Sequence, residues 1–361
     1  IIRGLVGSEM CIRDRVSMSS GIVQLVAIGA QDEHIIGEPE ISFFTSTFKR
    51  HSNFSQSVEK QTIQGAVKGN SMSSIKFERN GDLLGYTYFT IDNNTQAVDL
   101  QDWGDVIDKV ELLVAGQVID VQDYDFTENI AIDMFAQNVS KSSNGVHPGA
   151  SARSYFYPLR FFFCEGPQSA IPLVALQYSN VELRIYWGPA AGNYNVDAYA
   201  NYYYLDNEER GIMASREHNI LITQVQKSIP SGELVQELTF NHPVKYIACA
   251  NTNMESTLTS IDNKLKISIN GTDISSWKWA KPHFVDVQHY YHTNFVTSPD
   301  CFLHAFCLNT SSLQPSGSLN FSRVESVKIH SESRDIIDPI YGVNYNILRV
   351  NNGMAGLMYA N

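Results

Sequence analysis

Residues Pro315 to Arg323 read PSGSLNFSR, and residues Asn344 to Asn361 read NYNILRVNNGMAGLMYAN. The opening Pro-Ser-Gly is a turn signal, and the β-branched and apolar content after it predicts a strand from Leu319 to Ile329. Strict alternation would place Leu319, Phe321 and Arg323 on one face of that strand. Phe321 is therefore predicted to be a core residue. Arg323 is predicted to have a carboxylate partner, because an unpaired buried charge is costly.

The rest of the chain also reads mainly as strands. Val181–Trp187 and Leu265–Asn270 alternate apolar and polar residues, which buries one face of a strand and exposes the other. Further strand-like segments lie at residues 86–91, 110–114, 117–121, 219–223 and 324–329. Turn signals such as Asn80-Gly81, Ala115-Gly116 and Asn270-Gly271 separate them. Many short strands with this punctuation favour β-sandwiches over alternating βαβ units.

Two helices are predicted among these strands. Pro39 suits a first helical position, and three apolar residues follow it on one face: Ile41, Phe44 and Phe48. Asp125 or Thr127 is predicted to cap a second helix that runs to about Gln137 and buries Ile130, Met134 and Phe135.

Two segments read as long loops, 138–153 and 188–210. Loops of this length are uncommon in compact domains and usually functional. The second contains the tyrosine-rich tract Tyr199–Tyr204, which is the best candidate for a contact surface. A loop that folds its own aromatic rings inward is an equal alternative. A domain boundary is expected between Gly211 and Glu217.

Four segments carry a resemblance to a known family, and they occur in the family's order. They are Gly29-Ala-Gln-Asp with Pro39-Glu-Ile-Ser-Phe-Phe and Phe48-Lys-Arg-His-Ser-Asn-Phe54, then Ile171-Pro-Leu-Val-Ala-Leu-Gln-Tyr178, and the two segments quoted first. Together they resemble the major capsid protein of nucleocytoplasmic large DNA viruses, of the phycodnavirus and iridovirus type.

The resemblance implies an all-β fold of two tandem eight-stranded antiparallel jelly-roll sandwiches with a few short helices. Residues 18–213 would form the N-terminal jelly roll and residues 214–361 the C-terminal one. The implied function is that of a virion subunit, assembled in the host cytoplasm, which trimerises into pseudo-hexameric capsomers of an icosahedral shell.

The implied partners are a homotrimer, neighbouring capsomers and minor capsid proteins. Direct contact with nucleic acid is not expected, an internal viral membrane is contacted at most indirectly, and glycans on the host surface are a further candidate. The chain is short for the family, which indicates trimmed surface loops. Met354-Ala355-Gly356 replaces the more usual Met-Gly-Gly near the end.

Residues 1–17 lie outside the resemblance. They look like a translated sequencing adapter, a non-native leader, and Met18 is the expected natural start. A signal peptide would need a continuous apolar stretch, whereas charged and small residues interrupt every candidate here.

Composition excludes several function classes. The formal net charge is −12, and an acidic chain without a basic run is a poor nucleic-acid binder. No apolar run reaches the roughly 18 residues of a transmembrane helix. Four cysteines lie outside the leader, and buried free thiols are the preferred interpretation of them: Cys164, Cys249, Cys301 and Cys307.

No catalytic, cofactor-binding or metal-ligating residue is predicted, and no cofactor. Walker, GxGxxG, HExxH, EF-hand and nucleophile-elbow patterns do not occur in the sequence. His289 and His292 are the nearest approach to a metal motif, but their context is strand-like, which would place the two rings on opposite faces. Glu208 and Glu209 are expected in a solvated loop.

Two other classes of function stay open from the residues alone. A tandem β-sandwich carbohydrate-binding protein, such as a viral attachment lectin, would show an exposed Trp or Tyr platform and a cluster of calcium ligands. A glycoside hydrolase would need two carboxylates facing each other in a cleft.

Overall fold

The computed structural model describes residues 20–98, 100, 102–142, 155–250, 257–294 and 301–359. The chain forms two compact units, Ile1–His51 and Ser52–Asn361. The described part of the first unit contains two short helices, α1 (Ser20–Val26) and α2 (Glu33–Ile36).

The predicted helix that starts at Pro39 is wrong. Residues 39–50 form turns and irregular chain. The three apolar residues that this helix was predicted to bury are exposed: Ile41 is 70%, Phe44 97% and Phe48 87% exposed. Most of the stability of a short helix comes from packing its apolar face, and these side chains gain no burial that would stabilise one.

The second unit consists mainly of strands. In chain order they are β1 (Phe54–Gln61), β2 (Ile63–Gln64), β3 (Met72–Lys76), β4 (Leu83–Asp92), β5 (Ile107–Val114), β6 (Gln117–Asp123), β7 (Phe156–Pro158), β8 (Val181–Trp187), β9 (Asn195–Leu205), β10 (His218–Ser228), β11 (Val235–Leu238), β12 (Pro243–Ala250), β13 (Lys264–Ile269), β14 (Thr272–Asp273), β15 (Lys278–Trp279), β16 (Cys301–Ala305), β17 (Leu319–Asn320), β18 (Val327–Ser331), β19 (Ile340–Asn351) and β20 (Met354–Leu357).

Short helices connect the strands. They are α3 (Tyr124–Asn129), α4 (Ala131–Met134), α5 (Val139–Ser142), α6 (Phe162–Glu165), α7 (Asn207–Ser215) and α8 (Gln288–His292), which follows a π-helix over Ala280–Val287. Single 3₁₀ turns occur at Trp103–Asp105, Pro167–Ser169, Leu173–Ala175, Ala191–Asn193 and Phe321–Arg323.

The second predicted helix is confirmed as α3 and α4. Ile130, Met134 and Phe135 are buried, as predicted. The cap, however, is Asp123 rather than Asp125 or Thr127, because the Asp123 carboxylate accepts a hydrogen bond from the Phe126 amide at 3.1 Å.

The strands pair into four antiparallel sheets. The strands of the first two sheets, ordered β1-β9-β4-β7 and β2-β3-β8-β5-β6, lie between residues 54 and 205. Those of the other two lie between residues 218 and 357: β10-β19-β12-β16 with β17 and β20, and β11-β18-β13-β14 with β15. The first pair has nine strands and the second eleven in the described residues. The exact number of eight strands per sandwich is thus not confirmed, although the antiparallel all-β class is.

Alternation and turn chemistry predicted several of these strands correctly. In β8, Val181, Leu183, Ile185 and Trp187 are buried while the residues between them are half-buried. Ala115-Gly116 and Asn270-Gly271 both have positive φ at each residue and form the two-residue links of the β5–β6 and β13–β14 hairpins. This is the backbone that Asn-Gly-like pairs favour in tight hairpins.

The loop predicted over residues 188–210 is wrong. It contains β9, which pairs with both β1 and β4, and the start of α7. Every second residue from Val196 to Tyr202 is buried, so the segment has the period of a strand. The tyrosine run and the intervening Asn and Asp residues obscured this alternation.

The other predicted loop, 138–153, begins with the short helix α5. Residues 143–154 lie outside the described part of the chain, so the placement of this loop at the outward end of the first domain stays a prediction.

Phe321 is in the core, as predicted, but not on an extended strand. Its ring lies 5.8 Å from the ring of Phe240 and 6.1 Å from that of Phe306. The strand predicted from Leu319 is interrupted by a 3₁₀ turn, in which the Asn320 side chain accepts from the Ser322 amide. The turn places Arg323 in solvent, so the prediction that this charge is buried and needs a carboxylate partner is wrong.

A polar network joins the two sets of sheets. Asp123, at the end of β6, accepts from the Tyr341 hydroxyl at 2.8 Å and from the Lys227 ammonium at 2.5 Å. Asp120 accepts from the Val225 amide at 2.8 Å. Apolar residues of α3 and α4 pack beside this network on β12, β16 and β19, with Phe126 and Tyr341 at 5.7 Å between rings. The two halves of the second unit therefore share a buried junction.

Replacing Phe321 with alanine should cost about 3–5 kcal/mol of unfolding free energy, since the ring is buried among other aromatic rings. Urea denaturation would measure the loss. Arg323→Ala, two residues away and exposed, is the matched control and should change stability by less than about 0.5 kcal/mol. Equal losses in the two variants would contradict this packing.

Asp120 should make the protein less stable as the pH rises. Burial raises the pKa of Asp120 to about 7, although three N–H groups donate to it. A carboxyl group whose folded pKa lies above the unfolded value of about 3.9 is favourable when protonated. Its contribution is fully present below about pH 4 and is lost as the pH approaches 7.

Asp120→Asn should remove the part of the pH dependence of stability that comes from the Asp120 carboxyl. Between pH 5 and 8 the unfolding free energy of the variant should fall by about 2–3 kcal/mol less than that of the parent chain. The comparison of the two pH slopes is the readout, because other groups titrate equally in both proteins. Parallel slopes would show that Asp120 keeps an ordinary pKa.

Candidate assembly surfaces

The tyrosine tract is divided between the core and the surface. Tyr202 is fully buried and its hydroxyl donates to the Gln61 side chain at 3.1 Å. Tyr204 donates to the Glu59 carboxylate at 3.0 Å. Tyr199 lies on the face of β9 opposite to Tyr202, where it pairs directly with Tyr88 of β4. The tract is therefore neither an exposed loop nor a loop folded inward, but one strand with two different faces.

The outward side of β1, β9, β4 and β7 is rich in aromatic rings. The Tyr88 ring stacks on the Tyr199 ring at 5.4 Å and meets the Phe156 ring edge-on at 6.0 Å. Tyr86 lies 6.4 Å from Tyr88. The aromatic face consists of Phe54, Val58, Tyr86, Tyr88, Phe156, Tyr199 and Tyr203.

A glycine shapes this face. A Cβ atom at Gly85 would lie 2.7 Å from the Tyr203 ring, so only glycine lets that ring lie close against β4. Along the same face a groove of about 660 Å³ runs beside Tyr86, Tyr155 and Phe156. A broad aromatic surface with a groove is suited to contact with another protein.

The aromatic face carries little net charge. Lys60 and Asp197 form an ion pair on it at 2.7 Å. At the rim of the groove, Glu165 pairs with both Lys141 and Arg160, at 3.1 and 3.3 Å. This differs from the chain as a whole, whose net charge is −12.

A second exposed aromatic surface lies at β13, β15 and Trp277, the residue before β15. Lys264 lies 4.8 Å from the centre of the Trp279 ring, and Lys266 lies 5.2 Å from that of Trp277. The two indoles are 49% and 41% exposed. Each indole lies beside a lysine and still has a large exposed part, which is available for contact.

The two candidate histidines lie on a helix, so the predicted strand geometry is wrong. His289 and His292 belong to α8, where Nδ1 of His289 is 2.6 Å from the Val285 carbonyl and Nδ1 of His292 is 3.3 Å from that of Leu308. Local helical hydrogen bonds from the preceding π-helix override the strand-like composition. Burial lowers the pKa of nearby His304 to about 4, so that ring is neutral at pH 7.

Within the described ranges, no three His, Cys, Asp or Glu side chains are grouped as metal ligands. The expectation that the protein needs no metal stays a prediction.

The remaining candidate residues have structural positions. Glu208 and Glu209 lie in the first turn of α7, where negative charge favours the helix dipole, rather than in a loop. Cys249, Cys301 and Cys307 are buried, as predicted, and Cys164 is half-buried. Across the part of the chain that the structure describes, no helix combines the length and apolarity needed to span a membrane.

Comparison with known proteins agrees with this architecture. Residues 42–222 match the family described as major capsid protein N-terminus, and residues 209–356 match the large eukaryotic DNA virus major capsid protein family. The major capsid protein of Pyramimonas orientalis virus is 30% identical, with 95% of this chain and all of the relative covered. That of Paramecium bursaria Chlorella virus 1 is 29% identical at the same coverage.

Solved structures give the same result. A quasi-atomic model of the PBCV-1 virus capsid has a TM-score of 0.74 at 25% identity, over 89% of this chain and all of the other. The Faustovirus major capsid protein shares the fold, with a TM-score of 0.63 at 12% identity over 96% and 97% of the two chains. The four antiparallel sheets therefore form a double jelly roll, and no enzymatic role attaches to these relatives. The chain belongs to the major capsid proteins of large eukaryotic DNA viruses, structural subunits of the virion shell.

Proposed function

We propose that this capsid protein forms a homotrimer with a nearly six-sided outline, the capsomer of an icosahedral shell. The observation that carries the proposal is the presence of two sheet pairs in one chain. Three copies in a ring supply six similar wedges, and a closed ring of this kind packs edge to edge in a shell.

The two jelly rolls are proposed to meet within residues 206–217. The last strand of the first pair ends at Leu205 and the first strand of the second begins at His218. The division proposed from sequence, 18–213 and 214–361, falls inside α7, which spans Asn207–Ser215. We therefore treat α7 as the connection between the two jelly rolls.

The aromatic face is the proposed contact with the neighbouring copy in the trimer. Copies of an acidic chain repel one another, so their contact surface should be apolar and poor in charge. The aromatic face meets both conditions, with Phe54, Val58 and Tyr86 at least 42% exposed. In a threefold ring the contact is heterologous, so this face meets a different face of the next copy.

Further contacts would occur outside the trimer. Neighbouring capsomers and minor capsid proteins are the proposed partners at its edges, and a viral membrane would be reached only through them. The acidic net charge of −12 supports a shell that surrounds DNA without binding it directly.

Trimer formation can be tested with charges on the aromatic face. Val58→Glu combined with Tyr86→Glu adds two carboxylates at exposed positions, so the isolated chain should still fold. In the trimer these charges would be desolvated against an acidic partner, and association should weaken at least about a hundredfold. Native mass spectrometry over a concentration series would measure this.

Ile261→Glu is the matched control, because Ile261 is 74% exposed and lies outside the aromatic face. The control and the parent chain should both be trimers at micromolar concentration. A monomeric parent chain would overturn the trimer. A trimer that tolerates both glutamates would place its interface elsewhere.

Glycan binding is a second candidate function, which the exposed indoles of Trp277 and Trp279 favour. Sugar rings stack on aromatic rings, and about half of each indole residue is exposed beside its lysine. Glycan-array binding that is lost in Trp277→Ala and Trp279→Ala but kept in Tyr178→Ala would support it. No binding by the parent chain would exclude it.

A further inference from the structure

Lys245 is a buried cation at the junction of the two jelly rolls. It lies in β12, where the pairing with β19 shifts register between Val244 and Tyr246, and it is 2% exposed. Its ammonium donates to the Ser312 carbonyl at 3.1 Å and lies 5.7 Å from the centre of the Tyr345 ring. Among the described residues no carboxylate forms an ion pair with it. A buried charge without a counter-ion is costly, so an anion at this position would be favourable.

Tyr345 provides an unsatisfied hydroxyl near the Lys245 ammonium. The residue is 8% exposed, and its hydroxyl has no hydrogen-bond partner in the described parts of the chain. A buried hydroxyl of this kind normally has a partner. Lys245 and Tyr345 both line one cavity of about 430 Å³.

The cavity has a polar mouth and apolar walls. Its exposed rim includes Gln137, Gln168, Asn219 and Gln314. Its walls are apolar side chains from both halves of the chain: Phe135, Phe162, Ile220, Ile222 and Leu313. A ligand can therefore enter from solvent and place an apolar part against the walls and a polar part near Lys245 and Tyr345.

Charge in the cavity favours an anion. Glu165 is the carboxylate among its described lining residues, and it is already paired with Lys141 and Arg160. Lys141 and Arg160 lie outside the cavity lining and neutralise Glu165, so Glu165 is not a counter-ion for the Lys245 ammonium. Burial lowers the pKa of Lys245 to about 8, so the ammonium is still mostly protonated at pH 7.

We propose that this cavity binds a carboxylate that is attached to an apolar group. One carboxylate oxygen would accept from the Lys245 ammonium and the other from the Tyr345 hydroxyl, while the apolar group packs on Phe135 and Ile222. A monocarboxylate matches the single unpaired ammonium, whereas a phosphate dianion would keep an excess of charge. The carboxylate can come from a free medium-chain acid or from the C terminus of a partner protein that ends in an apolar residue.

Octanoate is the first probe, with octanol as its neutral equivalent. Octanoate should raise the melting temperature of the intact protein in a concentration-dependent manner at pH 7, because it binds the folded state, and octanol should not. Isothermal titration calorimetry would give the affinity. Equal effects of octanoate and octanol, or no effect of octanoate at millimolar concentration, would overturn the proposal.

Two variants assign the binding to these residues. Lys245→Met should weaken the binding of octanoate at least about tenfold, since the substitution removes a charged hydrogen bond to the carboxylate. Tyr345→Phe removes only an unpartnered hydroxyl, so the protein should fold normally and bind octanoate several-fold more weakly. Lys328→Met, at a half-buried lysine outside the cavity, is the control and should bind like the parent chain. Unchanged affinity in Lys245→Met would also overturn the proposal.

The pH dependence gives an independent check. Affinity for octanoate should fall above about pH 8 in the parent chain, because Lys245 loses its proton there. The residual binding of Lys245→Met should not change over the same range. A parent chain with constant affinity from pH 7 to 9.5 would contradict a role for the Lys245 charge.

A short peptide that ends in leucine distinguishes the two sources of the carboxylate. Binding of the free-acid form but not of its C-terminal amide would identify a partner's C terminus as the ligand. Binding of octanoate with neither peptide form would identify a free acid. Binding of the amide as tightly as the free acid would overturn the carboxylate assignment.

Discussion

Residues 244–249 of β12, 301–303 of β16 and 340–346 of β19 are buried at consecutive positions, so these strands are covered on both faces, and this constraint organises the second unit. Ile247 and Phe302 point to one core, which the sheet containing β13 and β18 completes. Tyr246 and Tyr341 point to another core, which α3 and α4 cover from the first half of the chain. Since both faces of these central strands are covered, the two jelly rolls cannot separate without exposing apolar surface.

Double burial also determines where polar groups are placed. Buried polar atoms need partners, and the junction supplies them across the two halves. Gln224 donates to the Ile119 carbonyl and accepts from Asn346, while Asp123 accepts from Tyr341 and Lys227. Because hydrogen bonds have a defined geometry, these bonds fix the orientation of the two jelly rolls more specifically than apolar packing alone would. Among the described residues, the Lys245 ammonium has no carboxylate partner and the Tyr345 hydroxyl has no hydrogen-bond partner, which is why a ligand is expected there rather than at the fully paired positions.

The sequence predicted the all-β class and the elements whose local signals agree with their environment. β8 alternates cleanly, and Asn270-Gly271 forms the hairpin that its type favours. Predictions failed where tertiary contacts or local hydrogen bonds outweighed composition. The tyrosines of β9 read as a loop with a contact surface, whereas Ala198 and Ala200 between them are buried in the first core and make the segment a strand. His289 follows a π-helix, which the periodicity of the sequence does not predict. The proposed assembly surface is the part that the sequence predicts least, because its residues come from four strands far apart in the chain.

The proposed contact at the aromatic face would let an acidic chain associate with itself. Its outward rings come from alternate positions of strands whose other positions build the first core, so the same alternation that folds the monomer also produces the surface. Tyr88 and Tyr199 stack on each other and are therefore held in place before any partner arrives, which reduces the side-chain entropy lost on association. The charges on this face are paired, so two acidic copies can meet there without an added repulsive contact. Folding and the proposed assembly contact thus depend on one pattern of alternation, because a one-residue shift of β9 would transfer Tyr202 to the surface and Tyr199 to the core and abolish both.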